Sequence, residues 1–227
     1  MRRRIAAAAI LVIASAGHVR AEEAPKAIAV EQAVLDAPNS ASAWLAVAKD
    51  HDGRGELTPA ILSYARYLTL SNADEKAKAA ASRLWSLVLP REESKEIAMR
   101  PQRGDQDKWW GTDMMLTKVR TNRHSGRTAA MSDAEFFATM LEGAALLSNS
   151  MAINGQLSPM WQNVGIPYFL EARALGHLPS LAFDVTRLLG APETKAWLAA
   201  NAEAVESFHA WSKQWKPGAV PAPVSSP

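Results

Sequence analysis

The sequence predicts an all-α fold of antiparallel helical hairpins, and three observations predict it. The composition is rich in alanine and leucine and poor in β-branched runs, which favours helix. No stretch shows period-two alternation closed by hairpin turns, the mark of paired strands. Apolar residues recur instead at spacings of three and four, and Gly or Pro interrupts them at helix-length intervals.

Residues 26–37 read as a short first helix, followed by a turn at Pro38-Asn39-Ser40 in which Ser40 can cap the next helix. That second helix carries Trp44, Val47, Ala48 and His51 on one face and breaks at Gly53-Arg54-Gly55. A third begins near Leu57, buries Ala60, Ile61, Tyr64 and Leu68, and ends around Ser71-Asn72. A fourth runs from Asp74 to Leu89: it opens with acids, which suit the positive end of a helix, and stops at Pro90.

Within this stretch Ala41–Asp74 has about the 34-residue length of one tetratricopeptide unit. Trp44 supplies the early aromatic, Val47-Ala48 the large–small pair a turn later, and Gly55 the turn glycine. Ala60 is the small residue of the second helix, with Ile61 and the aromatic Tyr64 after it. Small residues let helices cross closely, and aromatics fill the space between hairpins. The segment resembles a tetratricopeptide repeat, with His51, Tyr67 and Asn72 as departures from the pattern. The resemblance implies hairpins stacked in a right-handed array or bundle, a protein partner, and a concave surface lined by first helices. On the helix starting near Ala41, the stripe not used for packing is Ser42, Leu45, Lys49 and Asp52, the candidate partner-binding groove.

Beyond Pro90 the pattern loosens. Residues 91–108 are charged and contain Pro101 and Gly104, as a linker would; Trp109–Asn122 suits a short helix, and the chain from Lys118 to Met131 reads as loop. Ser132-Asp133-Ala134-Glu135 then gives a capping-box start to a helix reaching about Met151. Another should follow Ser158-Pro159, kink at Pro167 and end at Gly176-His177, where the imidazole can satisfy the last carbonyls. Leu178–Leu189 makes a short return helix closed by Gly190. Pro192 opens the next, and Asn201 is expected to cap the last, Ala202–Trp215. The organisation expected is therefore a leader over 1–21, a tetratricopeptide-like region over 22–90, and a linker with a short helix and a basic loop over 91–131. A C-terminal helical region over 132–215 and a Pro-rich disordered tail over 216–227 complete it.

The leader assignment rests on Arg2, Arg3 and Arg4 followed by the apolar run Ile5–Ala16, with Val19-Arg20-Ala21 as a cleavage site. The run falls short of the roughly 20 residues a spanning helix needs. Its removal takes four of the 25 basic residues and none of the 23 acidic ones, leaving a mature chain near −2. The basic balance that would suggest nucleic acid disappears with it. The chain has no cysteine, so its core must hold it without disulfides.

Chemistry is sparse. The five histidines show no metal-helix spacing, Glu92-Glu93 lies in the charged linker, and His124 beside Ser125 has no nucleophile-elbow context. Met114, Met115, Met131, Met140, Met151 and Met160 suit core packing, with a thioether metal carrier as a third reading. Two interaction features stand out. One is Trp109-Trp110, which either packs inward or holds a sugar or peptide. The other is an acid-free basic loop with Lys118, Arg120, Arg123 and Arg127, which is either solvated or meets an anionic envelope component or acidic partner. The expectation is an exported, periplasmic or secreted protein-binding module or scaffold, without catalytic residues, cofactor, metal or transmembrane segment. The alternative is a cell-envelope enzyme acting on glycan or peptidoglycan through a site assembled from distant residues. N-terminal sequencing of protein from the envelope fraction is expected to begin at Glu22. An intact Met1, with extraction that depends on detergent, would overturn the leader.

Overall fold

A computed structural model describes residues 29–89, 108–123, 128 and 130–218, and these form ten helices with no strand among them. They are α1 (29–36), α2 (Ala41–Gly53), α3 (Leu57–Leu70), α4 (Glu75–Val88), α5 (Trp110–Thr121), α6 (Asp133–Ile153), α7 (Ile166–Ala174), α8 (Leu178–Thr186), α9 (Pro192–Ala200) and α10 (Ala202–Gln214). The all-α reading holds.

Sequence-local side-chain caps set three of the starts, those of α2, α4 and α6. Ser40 Oγ accepts from the Ala43 N–H at 3.3 Å, and Asp74 Oδ1 from that of Ala77 at 2.8 Å. At α6 the capping box is complete: Ser132 Oγ accepts from the Glu135 N–H, and Glu135 Oε2 accepts from the Ser132 N–H at 2.7 Å. Asn201 does not make the cap expected of it. Its amide donates to the Trp197 carbonyl at 2.9 Å and so closes α9, and no side-chain cap bond reaches α10. At the expected Pro167 kink, the preceding turn Trp161–Gly165 widens to a π-helix. Proline lacks an N–H and its ring crowds the carbonyl four residues back, here that of Asn163, and a wider turn accommodates both.

The helices are arranged around α3. Every residue from Thr58 to Leu68 is buried, and α2, α4, α5, α6, α8 and α10 all touch it. Arg66 is the only charged residue in α3, so the helix has no polar face to offer solvent. The predicted α2 face is the one observed: Trp44, Val47, Ala48 and His51 are buried against the α2–α3 hairpin. A single hydrophobic cluster runs from Val34 through α3 and α6 to Phe208 and Trp215, joining the N- and C-terminal regions. Helix α6, with 21 residues, is long and apolar enough by composition to cross a membrane. One face, including Phe136, Phe137, Met140 and Leu141, is buried in the bundle, while Leu146, Leu147 and Ile153 of the same helix are exposed.

The charge on α3 is held at the centre. Arg66 is fully buried and donates to Ser212 Oγ at 2.7 Å and to Asn39 Oδ1 at 2.6 Å, with its guanidinium 4.0 Å from the Tyr168 ring centroid. Trp161 is a second hub. Its ring meets those of Trp44, Trp109 and His51, and its indole N–H donates to His51 Nε2 at 3.2 Å. Gly165 makes room for it, since a Cβ there would lie 2.4 Å from Trp161 Cε3. Gly165→Ala is expected to destabilise the protein by about 1–3 kcal/mol through overpacking. A chemical-denaturation midpoint equal to that of the parent chain would refute this.

Candidate functional site

A cleft of about 190 Å³ opens where the α2–α3 turn meets α4 and α5. Gly55, at φ 73°, makes the turn that brings Glu56 and Leu57 to its edge. Leu57, Ala60, Leu87 and Met114 give it apolar walls, beside Trp110. Asp52, Glu56, Asp113, Arg83 and Arg120 bring the charges.

Each carboxylate is already engaged. Asp52 accepts from Arg83 through two nitrogens, at 2.6 and 2.8 Å, and from the Tyr64 hydroxyl at 3.1 Å. Burial, and then the Asp52 charge, push the Tyr64 phenol up to about 12. Glu56 Oε2 lies 2.6 Å from His51 Nδ1 and accepts from Arg54 Nε at 3.0 Å. The Trp161 indole can only donate, so it donates to His51 Nε2, while Nδ1 faces both Glu56 Oε2 and, at 2.7 Å, Arg54 Nη2. Burial alone would raise the Glu56 carboxyl. The His51 hydrogen bond and the positive groups beside it, Arg54 among them, outweigh burial and hold it below its ordinary value.

Asp113 does what no neighbour of α3 does in sequence. Its two oxygens accept from the Leu57 N–H at 3.0 Å and the Thr58 N–H at 2.7 Å, so a residue of α5 caps the start of α3. The residue at the cap position itself, Glu56, makes no such bond. Arg120, two turns further along α5, donates from Nη1 to the Leu87 carbonyl at 2.6 Å and closes the α4 side.

The residues expected from sequence are dispersed. Of the groove set, Asp52 lines the cleft; Ser42 and Lys49 are exposed along α2, Ser42 beside Ser40 Oγ at 3.1 Å, and Leu45 packs partly against the core. Of the basic set, Arg120 lines the cleft and Lys118 is exposed, both on α5 rather than on a loop. Arg123 is buried, not presented to a partner. It donates to the carbonyls of Thr128 and Met131, pairs with Asp133 at 3.0 Å and lies over the Phe136 ring. Arg127 lies outside the described residues, as do His124, Ser125 and Glu92-Glu93. The tryptophan pair divides: Trp109 is buried against His51 and Trp161, and Trp110 faces the cleft. Met140 and Met160 are buried in the core, Met114 lines the cleft, and Met115 is exposed. His177 sits between α7 and α8 against the Phe208 and Trp211 rings, and burial lowers its pKa.

Sequence reasoning missed Arg83, Glu56 and Asp113. Asp113 had a trace, as the last acid before an acid-free stretch; Arg83 and Glu56 carried no local signal. Among the described residues no group of three His, Asp or Glu is placed to hold a metal ion.

Because the folded-state pKa of Glu56 is depressed, its stabilisation is full above the ordinary glutamate range and is lost as pH falls through the lowered value. Glu56→Gln is therefore expected to cost about 1–3 kcal/mol at neutral pH. The gap from the parent chain should close on acidification, read from denaturation midpoints across pH. A pH-independent gap would refute the charged role of Glu56. Compared with known proteins, the chain matches no protein-family profile, no curated protein and no solved structure.

Proposed function

We propose that this chain is an exported, tetratricopeptide-like protein-binding module, non-enzymatic, that holds a segment of its partner in the cleft between the α2–α3 turn, α4 and α5. The observation that carries this reading is the commitment of the three carboxylates that line the cleft among the described residues. Asp52 is held by Arg83 and Tyr64, Glu56 by His51 and Arg54, and Asp113 by the start of α3. A general acid or base must release and regain a proton at a reacting atom, and carboxylates held in internal ion pairs and caps are poorly placed for that work. Size points the same way. Pockets that enclose a small molecule hold about 300–1,000 Å³, so a cleft of about 190 Å³ suits one or two side chains of a partner. Apolar walls with a partly exposed tryptophan and a charged rim are the usual make-up of a protein-binding anchor point.

The envelope-enzyme reading keeps one supporting observation, since three carboxylates do line the same cleft. The two readings separate in cells. A photo-reactive residue at Thr117, which lines the cleft, is expected to capture a defined partner; the same probe at exposed Lys195 on α9 is not. Trp110→Ala should reduce that capture about tenfold, the loss of one good anchor. Capture that is equal from both positions and indifferent to Trp110→Ala would remove the cleft from the proposal. A glycan- or peptidoglycan-cleaving activity abolished by Asp52→Asn would replace it with the enzyme.

A further inference from the structure

Among the described residues, Arg120 is the one charge in the cleft wall that no opposite charge answers. Asp52 and Arg83 answer each other, Glu56 is answered by Arg54, and Asp113 by the positive end of α3. Among the described residues no carboxylate lies within ion-pair distance of Arg120, whose one hydrogen bond runs from Nη1 to the neutral Leu87 carbonyl. Its Nε is buried without any partner. Burial lowers the guanidinium pKa, and no neighbouring charge offsets it. The Nε nitrogen lies too deep for a ligand to reach, but the guanidinium as a whole is only half-buried in the cleft wall, and an anion there gains a charged hydrogen bond to a cation that has no counter-charge among the described residues.

The surroundings narrow the anion. Asp52, Glu56 and Asp113 line the same small cleft and would repel a doubly charged phosphate more than a singly charged carboxylate. Leu57, Ala60, Leu87 and Met114 offer apolar walls that suit a short aliphatic body. We propose that the cleft binds a carboxylate borne on a short apolar body, with Arg120 as the anchoring cation and the Leu57–Ala60–Leu87–Met114 walls holding the body. This rests on reading the cleft as the partner site, and it makes the partner's segment one that ends in, or carries, a carboxylate. A C-terminal residue and an acidic side chain both supply that chemistry.

The test uses the full mature chain, isotopically labelled, with three probes followed by NMR at the Arg120 Nε–H and the Trp110 indole. N-acetyl-leucine carries a terminal carboxylate, and N-acetyl-leucinamide is its uncharged twin. N-acetyl-glutamic acid α-amide carries its carboxylate on the side chain alone. At least one acid is expected to bind about tenfold or more tightly than the amide, the worth of one charged hydrogen bond. Arg120→Gln should abolish that preference and Arg120→Lys should restore part of it. Preference for N-acetyl-leucine identifies a C-terminal carboxylate, and preference for the glutamic derivative an acidic side chain. Equal binding of acid and amide, no response from any probe, or an acid preference that survives Arg120→Gln would overturn the inference. The acid–amide comparison on the unaltered chain stands even if an Arg120 variant fails to fold. In-cell capture from Thr117 that persists unchanged in Arg120→Gln would sink the carboxylate anchor while leaving the partner cleft standing. No capture from Thr117 in the unaltered chain, together with acid binding that is lost in Arg120→Gln, would do the reverse.

Discussion

The bundle is organised by one charge placed where charges are most expensive. Arg66 sits at the middle of the most buried helix, and no carboxylate pairs with it among the described residues. Guanidinium keeps its proton at any ordinary pH, so the fold must solvate the ion with its own groups. It does so from three directions. The last turn of α10 gives the Ser212 hydroxyl and carbonyl, the α1–α2 turn gives Asn39, and α7 gives the face of Tyr168. The α10 contribution is apt because the C-terminal end of a helix carries partial negative charge. Asn39 passes the contact on by donating to the Trp215 carbonyl, and Glu171 receives the Trp211 and Trp215 indoles at 2.9 Å each. One residue thus fixes where α1, α7 and α10 lie relative to α3.

The cleft inherits that rigidity. Its edge is the start of α3, and the α3 amides there are tied to Asp113 rather than to a residue of their own turn. On the α4 side the Arg83–Asp52–Tyr64 group links three helices, and on the α5 side Arg120 reaches the end of α4. Behind Glu56 the chain of bonds continues inward through His51 to Trp161, which sits against Gly165 in the π-helical turn. The charged rim of the site and the aromatic centre of the bundle are therefore one connected polar path. Groups held from behind in this way lose little freedom when a ligand arrives, which favours binding.

Much of the fold was legible because its determinants are local. Ser40, Asp74 and the Ser132–Glu135 box announce their helices within four residues, and the Trp44–Val47–Ala48–His51 stripe shows the buried face of α2 directly. The site was legible only in fragments, since its bonds span large sequence separations. Asp113 serves amides 55 and 56 residues away, and Arg83 meets Asp52 across 31. No window of sequence contains such a pair. Arg120 and Arg123 looked alike as members of a basic stretch, yet Arg123 is buried over Phe136 and pairs with Asp133, and Arg120 turns to the cleft. Asn201 shows the same limit at short range: its side-chain amide joins its own backbone N–H on the Trp197 carbonyl and closes α9 instead of capping α10.

The Arg66–Ser212 bond also bears on how this chain tolerates loss. In a stacked repeat each unit answers only to its neighbours, so trimming an end unit weakens the array by increments. Here the last helix supplies the solvation for an ion at the heart of the third, 146 residues earlier. A chain lacking α10 would not be a slightly shorter version of the same structure. It would present an unsolvated guanidinium to an apolar interior, and water or unfolding would have to resolve it. The centre of the bundle can therefore close around Arg66 only once α10 has docked on α3.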